Sequence, residues 1–73
     1  MSQLGKDLIS ALKCRYLSEI QYSKKELQLY MNTQVDVVEY LDKIDQLIEN
    51  IIVNQNKLQT LQNELGEIDN NLG

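Results

Sequence analysis

The stretch Leu41–Leu65 repeats its apolar residues at alternating steps of three and four, and this spacing constrains the fold more than any other feature of the chain. Residues that recur in this way lie along one side of an α-helix and form the seam of a coiled coil. The two alternating positions of the predicted seam are occupied by Leu41, Ile48, Gln55 and Gln62, and by Ile44, Ile51, Leu58 and Leu65.

The apolar surface of this helix is wider than one neighbouring helix would cover. From Val37 to Ile52 the apolar residues spread over roughly 180° of the helix surface. A helix that packs on a single partner needs a stripe of only about 100°. We therefore predict that the helix contacts more than one neighbour. The residues predicted to pack this helix, some of them against a partner, are Leu41, Ile44, Ile48, Ile51, Ile52 and Leu58.

The first half of the chain carries a second helical repeat, and Asn32 and Thr33 separate it from the first. Asn tolerates the left-handed conformation that ends many helices, and Thr can cap the helix that follows. We predict a hairpin over 1–65, with helices over 4–31 and 34–65, a turn at 32–33 and a frayed tail over 66–73. Ser2 is expected to cap the first helix. The alternative is one unbroken helix roughly 95 Å long, at 1.5 Å per residue.

The predicted fold class is thus all-α: an antiparallel two-helix hairpin, similar to a coiled coil, that completes a helical bundle by oligomerisation or by binding a partner. Seventy-three residues are too few to bury a large core without such help. With the turn at 32–33, residues whose numbers sum to about 66 face each other, which places Tyr16 near Ile51 and Lys24 near Asp42.

Charge also divides the chain. Residues 1–31 contain five basic residues (Lys and Arg) and three acidic ones (Asp and Glu), a net charge of +2. Residues 32–73 contain two basic and eight acidic residues, a net charge of −6. A basic helix folded against an acidic one is attracted to it, which favours the hairpin. The acidic residues Asp36, Glu39, Asp42, Asp45 and Glu49 form a ridge that we interpret as a solvated face, with a site for a cation or a basic partner as the alternative.

The residues needed for catalysis or for cofactor binding are missing. The chain has no His and one Cys, its three Gly are isolated, and its net charge is −4. We therefore predict that it is not an enzyme and that it binds no cofactor, metal ion, small-molecule substrate or nucleic acid. Cys14 has no partner in the chain for a disulfide, and its role is left open between a tolerated small residue and a reactive thiol.

Gln55 and Gln62 interrupt the apolar seam. A buried polar residue in a seam lowers stability and can specify register or the number of chains. The alternative is that both lie at the open, hydrated end of the hairpin.

The outline of an acidic hairpin over Leu4–Leu65 is similar to that of the small two-helix co-chaperones of bacterial type III secretion needles. Such a resemblance implies a helical chaperone partner and a helical client that is kept soluble. Phage accessory proteins and subunits of eukaryotic coiled-coil assemblies share the outline, and no functional residue is carried over from any of them.

The expected function is a non-catalytic protein–protein interaction module: an assembly subunit, adaptor or chaperone partner. Its expected partner is another helical protein or a second copy of the chain. The alternative is a small acidic regulator that lays a helix in the groove of an enzyme or transcription factor. No membrane span or secretory leader is apparent in the sequence, so we expect a cytoplasmic protein.

Overall fold

The structure, a computed structural model, describes residues 2–33 and 37–66. Helix α1 spans Gln3–Asn32 and helix α2 spans Val37–Leu61, and α2 continues into one π-helical turn, Gln62–Gly66. The two helices pack against each other in an all-α hairpin, as predicted. The longest dimension is 50 Å, about half the length of a single rod, so the alternative of one unbroken helix is wrong.

The ends of α1 are closed by side-chain hydrogen bonds. Ser2 caps the helix as predicted, because its Oγ accepts a bond from the backbone N–H of Gly5 at 3.1 Å. At the other end the hydroxyl of Thr33 donates to the carbonyl oxygen of Leu29 at 2.6 Å. The prediction that Asn32 takes the left-handed conformation is wrong, because Asn32 stays helical. That Thr33 caps the next helix stays a prediction, since it depends on residues 34–36. Residues 34–36 lie outside the described residues.

The predicted register of the hairpin is wrong by one to two helical turns. Tyr16 lies under the ammonium group of Lys57, at 5.6 Å from the ring centroid, rather than beside Ile51. The rings of Tyr30 and Tyr40 are 5.3 Å apart between centroids. Facing residues therefore have numbers that sum to 70–73, not to about 66. The hydrogen bond between Ser23 and Asn50 belongs to the observed register, and the predicted turn at 32–33 did not anticipate it.

The side of α2 that packs against α1 also differs from the predicted seam. Leu47 and Leu61, which are not part of the predicted seam, are buried, whereas Leu41 and Ile48, predicted to form it, are exposed. The buried and half-buried residues of the hairpin recur at steps of three and four along both helices. On α1 they include Ile9, Leu12, Tyr16, Ile20, Ser23, Leu27 and Tyr30, and on α2 they include Tyr40, Ile44, Leu47, Ile51, Asn54, Leu58 and Leu61.

The C-terminal end of α2 widens from α-helix to the π-helical turn. Leu61, the last α-helical residue, is buried, and Leu65 within the turn is 36% exposed. The predicted frayed tail over 66–73 lies outside the described residues, except for Gly66, where the π-helical turn ends.

Candidate interaction surface

A row of apolar residues on α2 is left uncovered by α1. Leu41, Ile48 and Ile52 are 57%, 42% and 50% exposed. At 100° per residue they lie within about 40° of one another around the helix, and Ile48 is about 100° from the buried Leu47. We call these three residues the outer row. Their exposure in a continuous row is typical of a surface that binds another protein.

The other three residues predicted to pack α2 lie between the outer row and α1. Ile44, Ile51 and Leu58 are half-buried, so each contacts the hairpin interior with one edge and solvent with the other. The predicted partner-binding set is therefore split by the fold into an outer row and a shared row. A partner seated on the outer row would also cover the exposed edges of Ile44 and Ile51.

Polar side chains lie among the buried apolar ones in the middle of the hairpin. The amide nitrogen Nδ2 of Asn50 donates to Ser23 Oγ at 2.6 Å and to Glu19 Oε2 at 3.3 Å. Nδ2 of Asn54 donates to the Asn50 carbonyl oxygen at 2.8 Å and to its Oδ1 at 3.1 Å. We call Ser23, Asn50 and Asn54 the polar layer.

Two of the three residues of the polar layer are almost completely buried, and Asn50 is half-buried. Ser23 is fully buried and Asn54 is 4% exposed. In the described parts of the chain, every buried side-chain nitrogen and oxygen atom has a hydrogen-bond partner. Because a buried polar group without a partner costs free energy, these bonds favour the one register in which Ser23 and Asn50 are opposite each other.

The polar residues that the sequence pattern singled out are not the buried ones. Gln55 is exposed and Gln62 is half-buried. Asn54 is buried instead, and a signal for it was present, since it stands seven residues from both Leu47 and Leu61. Two helical turns are close to seven residues, so residues with this spacing share a face.

A shallow groove opens between the helices on another side of the hairpin. It is lined mainly by Tyr16, Val53, Lys57, Leu61 and Leu65. Val53 is 40% exposed and lies roughly 100° to 140° around α2 from the outer row. The groove and the outer row are therefore separate surfaces.

The acidic ridge is exposed along α2. Glu39, Asp42, Asp45 and Glu49 all face solvent, whereas Asp36 lies outside the described residues. Within residues 2–33 and 37–66, no three acidic or thiol side chains converge where a metal ion could be held. Cys14 is a free, exposed thiol. Neither α1 nor α2 contains an apolar stretch that could cross a lipid bilayer.

The chain matches no protein-family model, and no curated protein or solved structure is significantly similar to it.

Proposed function

We propose that this protein is a non-catalytic protein–protein interaction module that binds a helical partner through the outer row of α2. In this role it serves as an assembly subunit, an adaptor or the partner of a chaperone. The free thiol of Cys14 suits a reducing compartment, which supports a cytoplasmic location.

The observation that carries this proposal is the uneven burial of apolar residues. In the described residues, four apolar side chains are buried and twelve large ones are exposed. Burying a Leu or Ile side chain contributes about 1.5–3 kcal/mol. A partner that covered Leu41, Ile48 and Ile52 would therefore gain several kilocalories per mole of apolar burial, enough to offset much of the entropy lost on association.

A second candidate function is regulation by helix-in-groove binding, and the exposed carboxylates of Asp42, Asp45 and Glu49 favour it. Here the acidic side of α2 would meet a basic groove on an enzyme or transcription factor. The salt dependence of binding distinguishes the two functions. Exposed charges are screened at high ionic strength, so groove binding should weaken sharply, whereas apolar packing should persist.

The test of the first proposal uses two leucines that are equally exposed. Leu41 in the outer row and Leu8 on α1 are each 57% exposed. The tagged chain and its Leu41→Asp and Leu8→Asp variants are expressed in the cells that make the protein, and native extracts are separated by size. We expect the wild-type chain and Leu8→Asp to migrate in an assembly, and Leu41→Asp to migrate as the free chain.

Two outcomes would contradict the proposal. The wild-type chain would migrate as a free polypeptide of 8.5 kDa, or Leu41→Asp would remain in the assembly as fully as Leu8→Asp does. Far-UV circular dichroism of the purified variants serves as the control: where the helices are retained, loss of the assembly reports loss of binding and not of fold.

A further inference from the structure

The outer row shares one side of the hairpin with part of α1. The bond between Glu19 Oε2 and Asn50 Nδ2 joins the helices along one side. Leu17 and Lys24 lie about 160° and 140° around α1 from Glu19, and Ile48 lies about 160° around α2 from Asn50. All three are therefore on the opposite side of the hairpin. We call this side, which holds the outer row together with Leu17 and Lys24, the outer face.

Basic and acidic residues divide the outer face. On α1, Lys6, Lys13 and Lys24 lie within about 20° of one another around the helix. On α2, Asp45 and Glu49 border the outer row and are exposed. Leu17, 50% exposed, lies about 20° to 40° farther from α2 around α1 than these lysines do, so the lysines border the outer row and Leu17 lies at the far edge of the face. The face is basic along α1, apolar along the outer row and acidic at the far edge of α2.

The basic and acidic residues of the outer face also match in height along the hairpin. Asn50 Nδ2 is 2.6 Å from Ser23 Oγ, so Lys24, the next residue on α1, is level with Glu49, the preceding residue on α2. Two such faces brought together about a two-fold axis parallel to the helices place each α1 against the other copy's α2. The aliphatic stem of Lys24 in each copy then lies over the outer row of the other, and its ammonium group reaches towards Asp45 and Glu49 at the margin of that row. A two-fold axis across the helices would place α1 on α1 instead, with lysines facing lysines.

We propose that the outer face binds a second copy of this chain about a two-fold axis parallel to the helices, forming a four-helix bundle. This inference rests on the interaction function proposed above, and it selects one partner. A surface that contacts its own copy must be complementary to itself, and a face that is basic along one helix and acidic beside the apolar row of the other meets that requirement.

The size of the face also agrees with a stable dimer. The hairpin measures 50 × 16 × 15 Å, so its broad side covers about 800 Å² in projection. Stable interfaces typically bury about 800 Å² on each partner. The whole face is therefore large enough for a dimer interface, whereas the outer row alone, about 16 Å long at 1.5 Å per residue, is not.

The first test measures mass in solution. We expect sedimentation equilibrium of the purified full chain, from micromolar to millimolar concentration, to give twice 8.5 kDa. The Leu41→Asp variant should be a monomer, and the equally exposed Leu8→Asp variant should remain a dimer. A wild-type chain that stays monomeric at millimolar concentration would overturn the dimer. If that chain still entered a larger assembly in native extract, the interaction function would stand with a different partner.

The second test exchanges charges across the proposed contact. Lys24→Glu alone and Glu49→Lys alone each place like charges opposite each other twice per dimer, and we expect each to dimerise about tenfold more weakly. An equimolar mixture of the two variants restores both contacts and should associate about as tightly as the wild-type chain. If the mixture associates no better than either variant alone, α1 does not meet the partner's α2 and the axis is wrong. Lys25→Glu serves as control, because Lys25 lies about 100° around α1 from Lys24 and its substitution should change nothing.

Discussion

The inward and outward sides of α2 contrast in a way that reverses the usual arrangement. The inward side buries Asn54 at 4% exposure, while the outward side leaves Ile52, two residues earlier, 50% exposed. A helix that only had to fold against α1 would gain stability by the opposite choice, since burial favours Ile over Asn. Ile48 and Ile52 are on the side that α1 does not cover, while Ile44 and Ile51 are half-buried next to it.

The contrast teaches that the two sides meet different requirements. On the inward side, hydrogen bonds between Asn50 and Ser23 make one register preferable to its neighbours, at some cost in stability. On the outward side, exposed apolar side chains would supply the free energy of the association proposed above. In that proposal, residues inside the hairpin determine its register, and residues outside it determine the affinity for a partner.

The largest expected effect is on stability, and it comes from substituting the inward residue of a neighbouring pair on α2. Leu47 is 5% exposed and Ile48 is 42% exposed. Leu47→Ala should cost about 2–5 kcal/mol, which is comparable with the whole stability of a chain this short. Urea unfolding followed by circular dichroism should show Leu47→Ala largely unfolded at every protein concentration.

Ile48→Ala is the matched variant on the outward side. Its effect on the urea midpoint should be largest at high protein concentration and shrink on dilution, because it acts through association. If Ile48→Ala lowered the midpoint equally at all concentrations, Ile48 would belong to the folding core and the contrast between the two sides would fail.

The next effect concerns the polar layer. Asn50→Ala removes the donor to the buried Ser23 hydroxyl, and we expect a loss of about 1–3 kcal/mol in the free energy of unfolding. The double variant Ser23→Ala with Asn50→Leu replaces the bond by apolar contact and should recover most of that stability.

Although its stability recovers, the double variant should no longer adopt a single register. Without the polar layer, the hairpin loses the bond that distinguishes its register from one shifted by a turn. Spin labels at Tyr22 and Lys43, measured by double electron–electron resonance, should give one distance in the wild-type chain and a broader distribution in the double variant. A single, unchanged distance in both would show that apolar packing alone sets the register.

The helical repeats and the hairpin followed from the sequence because they depend on local spacing. Apolar residues at steps of three and four specify helices whatever they pack against, and Ser2 was recognisable as a cap from its position before the first repeat. The excess of apolar surface was also apparent, since α2 has more apolar residues than one neighbour covers.

The register of the hairpin and the buried side of α2 could not be predicted from the sequence, because they depend on interactions between residues distant in sequence. The width of the apolar surface allowed either Leu47 or Leu41 to face α1, and the outcome depends on which register lets Ser23 reach Asn50. Tyr16 was predicted to face Ile51 and instead lies under Lys57, a difference of about two turns of α2. Connections between helices are where sequence patterns are least informative.

The smallest expected effect lies at the edge of the inward side, where Lys57 covers Tyr16. The ammonium group is 5.6 Å from the ring centroid, within the range of a cation–π contact, and Lys57 is itself exposed. Lys57→Met keeps most of the aliphatic stem and removes the charge, so we expect a loss of about 0.5–1 kcal/mol. A double-mutant cycle with Tyr16→Leu, read from urea midpoints of the chain in dilute solution, isolates the interaction from the burial of the ring. A coupling free energy near zero would mean that Lys57 only covers Tyr16 with its stem, and the inward side would then be held by the polar layer and apolar packing alone.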